Sequence, residues 1–386
     1  MSWEKVTLGD ISANIQTGPF GSQLHQSDYS EEGTPVVMPK DLVNGHISEA
    51  SIARVSDDHV NRLSRHKIEI GDILYSRRGD VGRCAFATDL EQGWLCGTGC
   101  LRVTIDRSKA IPKFVFYQLQ KAETVGWVEK HAVGATMLNL NTSILGSVPI
   151  EIPSIEEQQV IVDILSAYDD LIENNQKQIK LLEEAAQRLY KEWFVDLRFP
   201  GYETTTIIDG IPEGWDKVDV GSCISKIART KQVMTADLLD SGEIPVVDQS
   251  RSFVAGYTND VETIVDLGVP VIVFGDHTRV LKYIQFPFAK GADGTQLIVS
   301  NSERMPQSLF YCSLVNVDLS NHHYARHFKY LKVEEILLPT LEIACQYDDI
   351  VASLFKQVQL LRDKCTMAAE ARDRLLPKLM NGEIEV

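Results

Sequence analysis

The chain has 386 residues, 44% hydrophobic and 24% charged, which is the composition of a folded protein with two or three domains. This excludes a disordered chain, a collagen-like fibre and a small disulfide scaffold. The 54 acidic and 38 basic side chains give a formal net charge of −16, which argues against a protein that covers a polyanion with its whole surface. Any contact with nucleic acid is therefore expected to be local.

The cysteine content and the N-terminal sequence predict a cytoplasmic location. The seven cysteines are an odd number and include no Cys-x-x-Cys pair, which favours a reducing compartment. The first residues lack the apolar segment of a secretion signal, and no apolar run approaches the roughly 18 residues of a membrane span. We expect a protein without a membrane segment.

The first part of the chain has the pattern of a mixed α/β domain. Short runs of β-branched and aromatic residues, bounded by Gly, Pro, Asn and Asp, predict strands at Pro35–Met38, Asp72–Tyr75 and Leu101–Ile105. A short helix is expected at Phe114–Gln120. We assign residues 1–152 to this first domain.

A long helix is predicted next. From Ile155 to about Phe194 there is no Gly or Pro, and Ser154 with Glu157 has the spacing of a capping box. About 40 residues at ~1.5 Å per residue would form a rod of ~60 Å. We assign residues 153–200 to this helix and its C-terminal extension.

The second half of the chain repeats the first. Trp3-Glu4-Lys5-Val6 recurs as Trp215-Asp216-Lys217-Val218, and Arg188-Leu189 recurs as Arg374-Leu375. Strands are predicted at 269–274 and 296–299 and a short helix at 308–315. We assign residues 201–338 to a second mixed domain and residues 339–386 to a second long helix.

Both long helices carry an apolar seam with a seven-residue period. The seam of the second helix follows that of the first at an offset of 186 residues without gaps, which favours coiled-coil packing over two unrelated surface helices. The predicted interface consists of Ile161, Leu165, Tyr168, Ile172, Ile179, Leu182 and Leu189 in the first helix, and of Val351, Leu354, Val358, Leu361 and Leu375 in the second. The predicted fold class is α+β: two mixed α/β domains separated by two long helices packed as an antiparallel coiled coil, with a pseudo-twofold internal repeat.

The sequence lacks the common catalytic motifs. There is no phosphate-binding P-loop, no zinc-protease motif, no adenine-methyltransferase tetrapeptide and no serine-hydrolase elbow. The segment Cys96–Cys100 is rich in glycine, but it lacks the strand-to-helix setting of a nucleotide site. We expect neither a catalytic residue nor a metal site in this chain.

Basic clusters follow strands at matched places in both halves, which favours local contacts with DNA over ordinary solvated loops. The first cluster lies at 76–83, the second at 275–282, and a third, with interleaved aromatic residues, at 321–330. The candidate DNA-binding residues are Arg77, Arg78 and Arg83 in the first domain, and His277, Arg279, Arg326 and Lys329 in the second.

These features resemble the specificity subunit of type I restriction-modification systems, and the resemblance covers the whole chain. In the second half, Ile343-Ala344 stands where the first has Glu157-Gln158. The matching segments are Trp3-Glu4-Lys5-Val6-x-Leu8-Gly9, Gly71-Asp72-Ile73-Leu74 before Arg77–Gly82, Ile150-x-Ile152-Pro153-x-x-Glu156-Glu157-Gln158, and Arg374-Leu375-Leu376-Pro377-Lys378.

The resemblance implies a non-catalytic, DNA-binding subunit of a restriction system. Each mixed domain would be a target recognition domain that reads one half of a split, non-palindromic site in double-stranded DNA. The helices would set the spacing and dock two modification (methyltransferase) subunits. S-adenosylmethionine, ATP and Mg would be needed only by these partners and by restriction/translocase subunits. Two alternatives stay open: a stand-alone methyltransferase or nuclease with unrecognised motifs, and a coiled-coil scaffold with no role on DNA.

Overall fold

The structure, a computed structural model, describes residues 3–134, 137–320 and 326–385. The chain divides into two compact units: Met1–Leu171 with Met367–Val386, and Ile172–Thr366. The division falls inside the two long helices and not at residues 152, 200 and 338, where the sequence changes character. It does so because each mixed domain packs on part of both helices.

The first unit contains short strands and helices joined by turns. Its strands are β1 (Glu4–Thr7), β2 (Ser12–Thr17), β3 (Tyr29–Ser30), β4 (Thr34–Val37), β5 (Leu42–Val43), β6 (His46–Ile47), β7 (Ala53–Val55), β8 (Ile73–Ser76), β9 (Cys84–Phe86), β10 (Leu95–Cys96), β11 (Cys100–Ile105) and β12 (Pro149–Ile152). Its helices are α1 (Asp57–Arg62), α2 (Pro112–Gln120), α3 (Ala122–His131) and α4 (Thr142–Gly146), with 3-10 turns at Gln26–Asp28, Pro39–Asp41 and Ser64–His66.

Two sheets form the centre of this first mixed domain. One has the strand order β2-β11-β8-β9 and is antiparallel, and the other has the order β10-β4-β7-β3 with β10 parallel to β4. Strand β1 pairs with β12, so the start of the domain is joined to its end. The strands and the helix predicted from the β-branched runs are confirmed, with ends shifted by one or two residues.

The first long helix, α5, spans Ile155–Tyr190 and continues into a π-helical turn at Lys191–Val195. Its predicted capping box is confirmed. The Ser154 backbone N–H donates to the Glu157 carboxylate at 3.1 Å, and the Glu157 N–H donates to the Ser154 hydroxyl at 3.2 Å. Two N–H groups that the helix cannot pair internally are thereby satisfied.

The second unit has a similar set of elements. Its strands are β13 (Ile207–Ile208), β14 (Ile211–Pro212), β15 (Asp216–Asp219), β16 (Gln232–Val233), β17 (Ile244–Val247), β18 (Gly256–Thr258), β19 (Ile264–Val265), β20 (Val271–Gly275), β21 (Leu281–Ile284), β22 (Phe288–Gly291), β23 (Thr295–Ile298) and β24 (Glu335–Leu338). Its short helices are α6 (Gln307–Val315) and α7 (Phe328–Leu331), with 3-10 turns at Tyr202–Thr204, Val220–Cys223, Thr235–Asp237 and Val261–Thr263.

Part of the strand order of the first mixed domain recurs in the second. The antiparallel sheet β21-β20-β23 corresponds to β9-β8-β11, and β15 pairs with β24 as β1 pairs with β12. Strand β17 runs parallel to β22, as β4 runs parallel to β10. The repeat seen in the sequence is therefore also a repeat of topology.

The second long helix, α8, spans Leu341–Met380 and packs antiparallel to α5. In the second unit, the Cys365 thiol lies 3.7 Å from the Ile172 carbonyl oxygen, and the Tyr347 hydroxyl donates to the Ala186 carbonyl at 3.2 Å. Later residues of α5 therefore meet earlier residues of α8. In the first unit, Leu165 belongs to the same core as Leu379.

Every residue of the predicted coiled-coil interface is buried or half-buried: Ile161, Leu165, Tyr168, Ile172, Ile179, Leu182, Leu189, Val351, Leu354, Val358, Leu361 and Leu375. Leucines of α5 outside the seam are exposed, with Leu171 at 44% and Leu181 at 64%. The seven-residue pattern therefore separates the inward face of each helix from the outward face.

Truncating a buried seam residue should destabilise the fold. Leu165 is completely buried, so Leu165→Ala should lower the free energy of unfolding by about 2–5 kcal/mol, since it removes apolar contacts and leaves a cavity. Leu171→Ala is the matched control on the same helix and should change it by less than ~1 kcal/mol. Urea unfolding of both variants measures this, and equal losses would contradict the assignment of the seam.

Candidate nucleic-acid interface

Three loops of the first unit meet at one edge of the sheet β2-β11-β8-β9. Thr17, near the end of β2, lies opposite Leu101, and Ser76, at the end of β8, lies opposite Cys100. Because these strands are antiparallel, the loops that follow β2 and β8 and the loop that precedes β11 leave the sheet at the same edge. We call residues 18–22, 77–83 and 96–99 the first loop edge.

Backbone hydrogen bonds hold the first loop edge together. The Gly18 N–H donates to the Cys100 carbonyl at 3.0 Å, and the Arg77 N–H donates to the Gly99 carbonyl at 2.9 Å. The Leu140 N–H donates in turn to the Arg77 carbonyl at 2.8 Å, which joins the segment after α3 to this edge. The loops therefore form one fixed surface.

The three predicted arginines of the first loop edge have different surroundings. Arg78 is exposed, whereas Arg77 is half-buried. The exposed Arg83 forms an ion pair with Asp80 at 2.5 Å. The large apolar side chain of Phe20 is 56% exposed on the neighbouring loop. Arg78 is the best placed of the three to reach a phosphate or a base edge.

A buried charged pair supports the strands beneath this edge. Asp72 is 1% exposed and accepts hydrogen bonds from the Thr104 hydroxyl at 2.5 Å and the Glu69 N–H at 2.8 Å. The Arg102 guanidinium lies 3.6 Å from the Asp72 carboxylate. Burial raises the pKa of Asp72 above its ordinary value, and these partners oppose that rise. The pair joins β11 to the start of β8.

The glycine-rich segment Cys96–Cys100 has a structural role in this edge. Both cysteine side chains are completely buried, and burial raises the pKa of the Cys96 thiol to about 12, so the thiol stays protonated and unreactive at neutral pH. A Cβ atom on Gly18 would lie 1.8 Å from the Gly97 carbonyl oxygen, so only glycine permits the two loops to approach this closely.

The equivalent edge of the second unit is also built from loops. The 276–280 loop joins β20 to β21, and residues 292–294 precede β23, which lies opposite the end of β20. Gln249 links them. Its side-chain amide donates to the Asp293 carbonyl at 2.9 Å, and its side-chain oxygen accepts from the His277 N–H at 3.1 Å. We call residues 248–250, 276–280 and 292–294 the second loop edge.

The predicted residues of the second unit divide between exposed and internal positions. His277, Arg326 and Lys329 are exposed. Arg279 instead makes internal contacts: its Nη1 donates to the Leu319 carbonyl at 3.0 Å, and its Nε donates to His327 at 3.3 Å. The backbone of Arg279 is left-handed, with φ of +61°. The Arg279 guanidinium thus holds the 276–280 loop in place, and the side chain is half-buried.

Hydrogen bonds join Asp276, in the loop after β20, to the start of α7. The Asp276 carbonyl accepts from the His327 N–H at 2.8 Å, and the Asp276 carboxylate accepts from the Phe328 N–H at 2.8 Å. Arg326 therefore lies beside the second loop edge. Residues 321–325 of the predicted basic and aromatic cluster lie outside the described residues.

A basic segment at 226–231 was not predicted from the sequence. The Ser225 N–H donates to the Val299 carbonyl at 2.7 Å, just beyond β23, and β16 at the other end of the segment pairs with β22. The segment therefore starts at the C-terminal end of β23, whereas the second loop edge lies at the N-terminal end of that strand. Lys226 and Arg229 are exposed, while Lys231 forms ion pairs with Asp260 and Glu262 at 2.7 and 3.0 Å. The density of basic residues is visible in the sequence. The segment was not predicted as a DNA contact, because no predicted strand precedes it.

Among residues 3–134, 137–320 and 326–385, no group of three or more His, Cys, Asp or Glu side chains is arranged to hold a metal ion. No helix in these same ranges combines the length and apolarity needed to cross a bilayer.

Comparison with known families connects these features. Residues 1–184 match the model of the type I restriction modification DNA specificity domain. The type I restriction enzyme MjaIX specificity subunit of Methanocaldococcus jannaschii is 25% identical, over 91% of this chain and 87% of that protein. The HindI specificity subunit of Haemophilus influenzae is 27% identical over 61% of this chain and 49% of its own length.

A solved structure shares the fold. The crystal structure of the S subunit of a type I restriction-modification system from M. genitalium matches 98% of this chain and 96% of its own, with a TM-score of 0.59 and 16% sequence identity. The α+β fold class predicted from the sequence is confirmed.

Adding a methyl group to Gly18 should disturb the first loop edge. Gly18→Ala should lower the free energy of unfolding by about 1–3 kcal/mol, because the new Cβ collides with the Gly97 backbone. Gly21→Ala in the same loop is the matched control, since a Cβ there meets nothing within 4 Å, and it should cost less than ~0.5 kcal/mol. Chemical denaturation distinguishes the two variants. A Gly18→Ala protein as stable as Gly21→Ala would show that the loops do not approach this closely.

Proposed function

We propose that the chain is the DNA-recognition subunit of a type I restriction-modification complex, because residues 1–184 match the DNA specificity domain and a specificity subunit is 25% identical over 91% of the chain. Each unit reads one half of a split site in double-stranded DNA. The observation that carries this proposal is the recurrence of a loop edge with an exposed hydrogen-bonding side chain at the same place in both units. Arg78 stands on the first, and His277 stands on the second.

The two half-sites should differ in sequence. The first loop edge presents Arg78 and the exposed Phe20, whereas the second presents His277. Guanidinium groups favour guanine edges and phosphates, and apolar side chains favour the thymine methyl group. Since the donors and the apolar groups differ, the complete site is not a palindrome.

We further propose that the chain acts together with other subunits and has no catalytic activity of its own. Two modification subunits dock on the long helices, and restriction/translocase subunits join them. S-adenosylmethionine, ATP and Mg are bound by these partners. The net charge of −16 supports this division, because non-specific affinity for DNA comes chiefly from neutralised phosphates. Tight binding therefore requires the partners.

Sequencing of methylated genomic DNA tests the proposal. Cells that express this chain with its modification subunits should carry one split methylated motif, and cells that express the modification subunits alone should carry none. The purified chain alone should neither methylate nor cleave DNA. Methylation that is unchanged when this chain is omitted, or turnover by the homogeneous chain, would contradict the proposal.

Single exposed side chains of the loop edges should control affinity or site choice. Arg78→Ala and His277→Ala should each weaken DNA binding by the assembled complex by about 1–3 kcal/mol where the side chain reads a base, with relaxation of one position of the motif. Where the side chain contacts a phosphate, all sites should weaken alike. Binding titrations and the methylated motif of each variant measure both effects.

The matched control is Lys109→Ala. Lys109 follows β11 and lies at the opposite end of that strand from the first loop edge, where it is half-exposed near Asp106. The Lys109→Ala substitution removes one cation from the same domain as Arg78, and it should leave the affinity for DNA and the methylated motif unchanged. If the three variants behave alike, the contact surface is not at the loop edges.

The length of the paired helices should set the spacing of the half-sites. Four residues added to α5 after Asn175, with four added to α8 before Cys365, lengthen the pair by ~6 Å and nearly preserve the seam. At ~3.4 Å per base-pair step, this is a little under two base pairs. We expect both half-sites to be unchanged and their spacer to be one or two base pairs longer.

A two-residue insertion at the same places is the comparison. It rotates the seam by about 200°, so pairing and assembly should fail. Sequencing of methylated DNA reads the spacer of the four-residue variant. An active variant with an unaltered spacer would show that the helices do not set the distance.

A further inference from the structure

The apolar seams of α5 and α8 are interchangeable in composition. Residues 186 apart occupy equivalent seam positions, and nearly all of them are apolar in both helices. The equivalent pairs include Ile161 with Tyr347, Leu165 with Val351, Tyr168 with Leu354, Ile172 with Val358, Leu182 with Ala368, and Leu189 with Leu375. Apolar burial alone would therefore let α5 pair with α5 of a second copy as readily as with α8.

A charged contact in the first unit breaks this equivalence. The Asp169 side chain, 11% exposed, accepts from Arg372 Nη1 at 2.8 Å and from the Tyr117 hydroxyl at 2.6 Å, and Lys113 Nζ lies 3.6 Å away. Burial by itself would raise the pKa of Asp169, but these hydrogen bonds and cations bring it below its ordinary value. The carboxylate is therefore kept charged by Tyr117 and Lys113 of α2 together with Arg372 of α8.

Polar contacts in the second unit act at other positions. Glu183 of α5 pairs with Arg362 of α8 at 2.6 Å, and the Arg362 guanidinium lies 3.8 Å from the centre of the Phe253 ring. Asn175, 3% exposed, lies at a seam position against the Cys365 thiol. A single buried Asn in an apolar seam is a known determinant of partner choice in coiled coils.

The repeat shows what these residues would meet in a pairing of like helices. The α5 residues equivalent to Arg372, Arg362 and Cys365 are Ala186, Gln176 and Ile179. In a pair of two α5 helices, Asp169 would face an alanine and lose its guanidinium partner, while Tyr117 and Lys113 of α2 would stay beside it. Removing one hydrogen-bonded partner of a largely buried carboxylate is unfavourable, because the lost contact is not replaced by water. In a pair of two α8 helices, Arg372 would face Phe355.

We propose that the contacts of Asp169, Asn175 and Glu183 make α5 select α8 and reject α5 of a second copy. The apolar seam supplies the strength of the pairing, and the three polar residues supply its specificity. This inference does not rest on the proposed function in DNA recognition, because it concerns only which helices pair.

The test uses the whole chain, cut after folding. A site for a specific protease is placed in the exposed segment 203–207, the folded protein is cleaved there, and its N- and C-terminal parts are kept together by the helices. The cleaved protein is incubated in mild urea to allow exchange and then analysed by native mass spectrometry. The spectrum separates pairs of two N-terminal parts (N:N) from mixed pairs (N:C).

The wild-type protein should give N:C pairs with N:N pairs at the limit of detection. The triple variant Asp169→Ala, Asn175→Leu, Glu183→Ala should raise the N:N fraction at least tenfold, because α5 then carries no buried polar group that needs α8. The control variant Glu173→Ala, Glu184→Ala removes two carboxylates that pair only within α5, with Lys177 and Arg188. It should behave as wild type.

Exchanging the charges of Asp169 and Arg372 provides a second test that does not depend on the folding of the triple variant. Asp169→Arg alone should raise the N:N fraction, because the introduced guanidinium would oppose that of Arg372, and Asp169→Arg with Arg372→Asp should restore N:C pairs. The proposal is overturned if wild type forms N:N pairs in statistical proportion. It is also overturned if the triple and single variants keep the wild-type N:C fraction, or if the Glu173 and Glu184 control exchanges as freely as the triple variant.

Discussion

The packing of α5 against α8 is the contact on which both units depend, because each unit builds its core around parts of both helices. In the first unit, Leu165 of α5 and Leu379 of α8 belong to the core that contains Phe114 of α2. In the second, Ala186 and Tyr347 lie in one core with Phe310 of α6. The largest hydrophobic core of each mixed domain is therefore completed by residues of the long helices.

Strong periodicity made most of the fold predictable from the sequence. The seven-residue seam and the capping box at Ser154 located α5, and the 186-residue offset located α8. The buried strands β8, β11 and β20 were found from their β-branched runs, with ends within two residues. Two-residue strands such as β5 and β10 carry no such signal, since two residues show neither alternation nor a boundary.

The loop edges could be predicted only in part, because their geometry depends on contacts between segments that are distant in the chain. The positions of Arg78 and His277 after strands were readable from the sequence. The internal role of Arg279 was not, since it arises from Leu319 and His327, about 40 and 48 residues further on. Lys226 and Arg229 were not predicted, because no strand pattern precedes them: Ile224 forms one isolated bridge, to Ser300 beyond the end of β23.

The interrupted first unit has a consequence for synthesis on the ribosome. The second unit, Ile172–Thr366, is one continuous stretch, whereas the first needs Met367–Val386 to complete its core. The part of the protein that is translated first therefore finishes folding last. Its core is completed only when Leu379 and Met380, both almost fully buried, have been synthesised. Until then, the nascent first unit exposes the apolar surface that these residues cover, and this surface is open to chaperones during the whole translation of the second unit.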